Sequence, residues 1–252
     1  MWIADFKQVT GTRSSGALGV LLVLLNFLAL IGAGCSKEST SHPGPPAKAS
    51  APVAAALEAT RQKAEQGDAG AQNLLGEMYL NGQGVRQDSK AAAEWFKRSA
   101  EQGHAPAQFN FGTLYEAGQG VALDYKDAAE WYRKAAEKGH AASQYSLAAM
   151  YVYARGVERN DAEALKWLRL AAEQGDALAE YALGERYKTG TGVPQDLVEA
   201  FKWFTLAAGQ KVTDAAAALD EIKVKMDWEQ IVNGRRRAQQ FIPKNTITGA
   251  AK

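Results

Sequence analysis

Four of the six tryptophans, Trp95, Trp131, Trp167 and Trp203, stand 36 residues apart. Other columns keep the same step: Tyr79, Tyr115, Tyr151 and Tyr187; Gly67, Gly103, Gly139 and Gly175; Ala92, Ala128, Ala164 and Ala200; Ala100, Ala136, Ala172 and Ala208. A fixed period of this size is the mark of stacked supersecondary units, each too small to bury its own apolar face and stable only against its neighbours. The repeat therefore predicts an array of stacked units before any single residue is interpreted.

Within one unit the pattern is that of a helical hairpin. Asp68 stands at a helix N-cap, and its column holds His104, His140 and Asp176, all able to accept a hydrogen bond from a free N–H of the first turn. Ala71, Leu75, Met78 and Tyr79 follow at helical spacing. Gly76 lies inside this helix, where glycine costs about 1 kcal/mol relative to alanine. Its recurrence as Gly112 and Gly184 points to a neighbouring helix passing too close for a side chain. Gly82-Gln83-Gly84 ends the helix, and Asp88 caps the next, with Asp124, Asn160 and Asp196 in its column. That second helix carries Ala92, Trp95, Phe96 and Ala100 on one face. Units are expected at 67–102, 103–138, 139–174 and 175–210. A half-repeat over 53–66 covers the front, capping helices over 211–240 close the far end, and 241–252 is a flexible tail. Asp227 with Gln230 three residues on reads as a capping box. The third copy departs from its sisters, with Ala148 for the helix glycine and Ala154 for the cap glycine.

Ahead of the array, Lys7 and Arg13 precede an apolar run from Ala17 to Ile31, followed by Gly32-Ala33-Gly34-Cys35. A basic start, an apolar stretch and small residues before a cut site describe a secretory signal. The only cysteine of the chain stands where a bacterial lipoprotein is cleaved and acylated, so residues 1–34 resemble a lipoprotein signal with Cys35 as the lipidated first mature residue. Residues 35–52, rich in Ser, Pro and Ala, read as a flexible tether. The formal net charge of +1 gives no field for nucleic acid, and one cysteine excludes a disulfide framework and any multi-thiolate metal site.

The pattern A-x-x-x-L-G-x-x-Y-x-x-G-x-G-V-x-x-D, then A-x-x-W and A-A-x-x-G, resembles the SEL-one-like repeat, an α-solenoid unit related to tetratricopeptide repeats. The fullest copy is Ala105 to Gly139, APAQFNFGTLYEAGQGVALDYKDAAEWYRKAAEKG. The resemblance implies an all-α, right-handed α-solenoid, and a scaffold or adaptor that binds protein or peptide, with the first helices lining the concave surface. It also implies, with the leader, a lipid-anchored place in the bacterial cell envelope, on the outer membrane facing the periplasm, which Ser36 after the cysteine favours. Cysteine-rich secreted relatives tied to β-lactam chemistry carry nothing over, since their paired cysteines are missing.

No G-x-S-x-G, phosphate loop or H-E-x-x-H is present, so no enzyme, cofactor or metal is expected. His104 and His140 share a capping column with aspartates and read as caps rather than ligands. Positions that vary between copies while keeping helical spacing should face solvent. On the first helices these are Leu74, Glu77 and Asn81; Asn110, Thr113 and Ala117; Ser146, Ala149 and Tyr153; Ala182, Glu185 and Thr189. They are the expected partner groove, shallow and of mixed polarity, suited to an extended peptide or a loop. Two alternatives stand beside the scaffold: a structural part of a secretion or polysaccharide-export complex, and a peptidoglycan-binding protein or cell-wall enzyme. Arg235-Arg236-Arg237 reads as a solvated face of the last helix, with lipid headgroups or an acidic partner as the other reading.

Overall fold

The computed structural model describes residues 51–244, with side chains from residue 54 onward. Cys35, the leader, the tether up to residue 50 and the last eight residues lie outside the described residues. Those described form eleven helices and no strand. They are α1 (Ala51–Glu65), α2 (Ala69–Asn81), α3 (Ser89–Glu101), α4 (Ala105–Ala117), α5 (Tyr125–Glu137), α6 (Ala141–Tyr153), α7 (Asp161–Glu173), α8 (Ala177–Thr189), α9 (Leu197–Gly209), α10 (Thr213–Lys223) and α11 (Trp228–Gln239). Eight of them, α2 to α9, are the first and second helices of the four repeats, each 13 residues long. The fold is an α-solenoid.

The sequence reads as one uninterrupted array, but the described residues divide into two compact units, those up to Ser99 with Thr113–Leu123, and Ala100–Gly112 with those from Asp124 onward. The division cuts α3 and α4 instead of falling between repeats. In a solenoid each element touches only its neighbours, so compactness has no natural boundary at a repeat edge.

In the first unit, Ala64, Ala71, Leu75 and Met78 form the buried cluster, with Leu57, Tyr79, Val85 and Trp95 packed around it. Asp68 caps α2 by accepting from the Ala71 N–H at 2.6 Å, and Gly82 ends it in the left-handed region. A Cβ on Gly76 would lie 2.7 Å from the ring of Phe96, so the glycine marks a close approach of α2 and α3. Gln72 donates from Nε2 to the Ala64 carbonyl at 3.0 Å, tying α2 to the last turn of α1.

The second unit repeats this scheme. Tyr132 lies against Gly112 and Phe204 against Gly184, where an added Cβ would stand 2.8 and 2.6 Å from the rings. Asp124, Asn160 and Asp196 each accept two N–H groups at the head of a second helix. His140 caps α6, its Nδ1 accepting from the Ser143 N–H at 3.3 Å and lying 2.8 Å from the Ser143 hydroxyl. His104 does not fulfil the same expectation: its Nδ1 is buried without a partner. Position 107 is alanine where the next copy has Ser143, so the ring lacks the hydroxyl that helps seat His140.

The C-terminal end closes on α10 and α11. Asp227 and Gln230 form the reciprocal capping box of α11. Ala200, Phe201, Phe204, Ala218 and Ile222 build a core joining α9 to α10, flanked by Met226 and Ile231. Gly234 lets α11 pass Phe201, 2.8 Å from where its Cβ would be. Residues 241–244, expected to begin a flexible tail, instead pack back. Phe241 meets Trp203 edge-on at 5.3 Å between ring centres, Pro243 lies over Gly175, and Lys244 pairs with Glu173. No described helix is long and apolar enough to cross a membrane.

Candidate functional site

The predicted groove residues sit on the first helices, and none of the twelve is buried. In the first unit Leu74, Glu77 and Asn81 lie on α2, with Thr113 and Ala117 on the end of α4. Leu74 is 45% exposed, unusually open for a leucine on a packed helix. Glu77 accepts from Asn73 Nδ2 at 2.8 Å, which keeps its carboxylate on the helix surface. In the second unit Asn110, Ser146, Ala149, Ala182 and Glu185 are half-buried, while Tyr153 and Thr189 are exposed. Two columns of the core behave oppositely. Ala92, Ala128, Ala164 and Ala200 are wholly buried, as are Leu75, Leu147 and Leu183.

Charge along the second unit's stripe is fixed by pairing. Lys188 lies 2.9 Å from Glu185 and 3.0 Å from Glu221. Burial works to lower the Lys188 pKa, but the bonds to both carboxylates outweigh it and the ammonium is held above its usual range. Thr189 donates back to the Glu185 carbonyl at 2.8 Å. Arg186, nearly buried on the same helix, reaches Asp161 at 3.2 Å, and this bond holds the Asp161 carboxyl below its ordinary value.

One cluster of the stripe escaped the sequence reading. Tyr153 is 69% exposed, and the guanidinium of Arg155 lies 5.7 Å from its ring and 5.7 Å from that of Tyr125. Arg155 stands where two sister copies have Gln83 and Gln119, so the signal was a lone departure at a variable turn position. Two tyrosines and an arginine on an open surface are the residue types that dominate interface energetics.

The remaining surfaces are less constructed. The open cleft lined by Tyr79, Val85, Arg86, Gln87, Asp88, Ser89, Lys90 and Gly120 follows the first turn of α3, and its one carboxylate is already engaged as that helix's cap. Among the described residues no three His, Cys, Asp or Glu side chains gather in a way that would hold a metal ion. Of the terminal arginines, Arg237 pairs with Glu199 at 2.6 Å and Arg236 reaches Asn233, which leaves Arg235 as part of a solvated face.

A family model for the Sel1 repeat matches residues 69–104, 105–140, 141–176 and 177–211. A protective antigen of uropathogenic Escherichia coli strains, displaying an SLR fold, is 35% identical, with a TM-score of 0.66 over 74% of this chain and 41% of that one. A Sel1 repeat protein from Oxalobacter formigenes is 31% identical, with a TM-score of 0.61 over 74% of this chain and 80% of that one. The chain thus spans less than half the length of the antigen. No curated protein matches it. Sel1 repeats are protein–protein interaction scaffolds and generally non-enzymatic. Four consecutive matches, in register with the tryptophan, alanine and glycine columns that build the core, place this chain in the Sel1 repeat family.

Proposed function

We propose that the protein is a lipid-anchored scaffold of the cell envelope whose first-helix stripe binds a peptide or loop of another protein. The observation that carries this reading is a contrast between columns: the alanines of the Ala92 column are wholly buried, while none of the variable first-helix positions on α2, α4, α6 and α8 is. A surface that varies at fixed helical spacing is what a repeat scaffold adapts to a particular partner. The exposed Tyr153, with Arg155 beside it, is the anchor on that surface. The apolar run ending at Cys35 supports the lipid anchor, with acylation of the thiol and a periplasm-facing outer-membrane location. A single acyl chain binds membranes marginally, so the anchor needs the two or three chains of a mature lipoprotein.

A photo-crosslinking amino acid at position 153 of the intact chain, expressed in its own membranes, tests the groove. It should yield a discrete protein adduct that the same group at Glu94, exposed on a second helix, does not. Equal adducts from both positions, or none from 153, would remove the groove. The anchor is tested separately: labelled fatty acid should enter the wild-type chain and not Cys35→Ser.

A further inference from the structure

One column of the array carries a polar side chain into the core. Gln72, Gln108 and Gln144, at the same position of α2, α4 and α6, are each 5% exposed or less. Each donates from Nε2 to the carbonyl of the alanine eight residues earlier: Ala64 at 3.0 Å, Ala100 at 3.1 Å and Ala136 at 3.0 Å. The amide thus bonds a first helix to the last turn of the helix before it. In the fourth repeat the column holds Glu180, 1% exposed, and the carbonyl in register is that of Ala172. A carboxylate has no proton to give a carbonyl; a carboxylic acid has one, on an atom that takes the place of the amide nitrogen.

The other end of the side chain keeps the pattern too. Gln174 donates from Nε2 to Gln144 Oε1 at 2.7 Å, and Gln210, one repeat later, donates to Glu180 Oε2 at 2.9 Å. Gln210 also donates to the Gly175 carbonyl, also at 2.9 Å. Glu180 therefore holds the glutamine's position, with Oε2 satisfied by Gln210 and the Ala172 carbonyl the one in register for its other oxygen.

We propose that Glu180 is a proton-operated lock between the third and fourth repeats: uncharged, it gives its hydrogen bond to the Ala172 carbonyl as glutamine does in the sister repeats, and on ionising it releases the proton to water and that bond with it. The released state leaves a carboxylate facing a carbonyl in a buried site, so α8 loosens against the end of α7. Since α8 carries Ala182, Glu185 and Thr189, the lock acts on the footing of that part of the stripe.

The surroundings favour the neutral acid. Burial pushes the Glu180 carboxyl up to about 7; the Gln210 bond opposes this, and the charge of Asp176 adds to it. Asp176, at the head of the same helix, is itself raised by burial although the N–H groups of Ala179 and Leu178 pull it down. On α6, Gln144 is neutral and the phenol of Tyr145 is pushed up to about 12 by burial, so it too is uncharged. Glu173, at the end of α7, is engaged by Lys244. After α9 stand the neutral Gln210 and an exposed Lys211. Glu185 and Asp214 act on Tyr181, the next residue along.

The sign follows from the proton count. Between the ordinary carboxyl value of 4.5 and about 7 the folded chain holds a proton that the unfolded chain has lost, so stability falls as pH rises through this window and is level above it.

Glu180→Gln restores the residue of the other three copies and should fold. The test is thermal unfolding of the full chain and of this variant from pH 5 to pH 8.5. The melting temperatures should nearly coincide at pH 5, and the variant should lead by several degrees above pH 7. Asp176→Asn should keep a slope, shallower than the wild type's because the Asp176 charge adds to the shift of Glu180. A gap between wild type and Glu180→Gln that is the same at every pH, or a slope abolished by Asp176→Asn instead, overturns the proposal. Carbon-13 labelling of the glutamate carboxyls gives a direct readout: one resonance should titrate near neutrality and be absent from Glu180→Gln. Titration of every glutamate near 4.5 would equally overturn it.

Discussion

The third and fourth repeats differ at the two glycine positions that recur in the other copies, and the chain handles the two differences in opposite ways. In the fourth repeat Gly184 lies under Phe204, and Gly190 ends α8 at φ 75°. In the third, Ala148 replaces the first glycine, and the aromatic column holds Leu168, with both residues buried. A smaller side chain on α7 makes room for the extra carbon on α6, so that exchange is compensated in register. Ala154 replaces the second glycine, yet α6 still ends left-handed, at φ 54° and ψ 39°. No other residue relieves that change. The turn keeps the family geometry and carries the Cβ cost. The comparison separates a repeat's packing, which two columns negotiate together, from its backbone, which each turn meets alone.

The packing half of the comparison breaks most visibly at Leu168. Leu168→Phe restores the fourth repeat's ring without its glycine and should cost about 1–3 kcal/mol by overpacking. Adding Ala148→Gly should recover most of that loss, since the pair then matches Gly184 and Phe204. Denaturant unfolding of the two single variants and the double reads the coupling directly. Additive losses would mean that Ala148 and Leu168 do not trade volume.

The backbone half predicts a gain. Ala154→Gly should raise stability by roughly 1 kcal/mol, because the left-handed region is open to glycine without a side-chain penalty. The reverse change, Gly190→Ala, should cost a similar amount. Hydrogen exchange sharpens the contrast: amides around 148–157 should exchange faster than those around 184–193, and Ala154→Gly should even them out. Lys211, the other non-glycine residue at positive φ, occupies the column of Gly67, Gly103, Gly139 and Gly175. Lys211→Gly belongs to the same class and should also stabilise.

These contrasts show what the sequence could and could not make legible. The period, both sets of caps, the close-approach glycines and the Asp227–Gln230 box were readable because each is a local rule repeated in register. The variable stripe was readable as accessible surface for the same reason. The glutamine ladder was not, since its acceptors are carbonyls of a preceding helix, and a backbone acceptor leaves no mark in the residue column. Glu180 was legible only once the ladder was known, as the one acid among three amides. Lys211 and the packed residues 241–244 lie past the last full copy, where there is no sister to compare. His104 shows the limit of column logic: the residue three places on is Ala107, where His140 has the hydroxyl of Ser143 beside it.

The smallest expected effect separates the caps of α6 and α8. Asp176 caps α8 with a carboxylate, accepting from the Ala179 N–H at 2.9 Å. His140 caps α6 with a neutral imidazole, which can accept at Nδ1 only while unprotonated. Burial, and then the nearby His104, hold the His140 pKa below its ordinary 6.5. The folded chain therefore binds fewer protons at this site than the unfolded chain just below pH 6.5, and the cap's stability is lost as pH falls from there through the folded value. This slope opposes that of Glu180 and is common to wild type and Glu180→Gln, so it cancels in their difference. His140→Asn supplies a cap that does not titrate, as Asn160 does for α7. The variant should gain on the wild type by about 0.5–1 kcal/mol between pH 7 and pH 5, the scale of one N-cap. Exchange of the Ser143 amide should quicken relative to that of Ala179 over the same interval in the wild type alone. A stability difference that does not change with pH would show that the imidazole is only filling space at the head of α6.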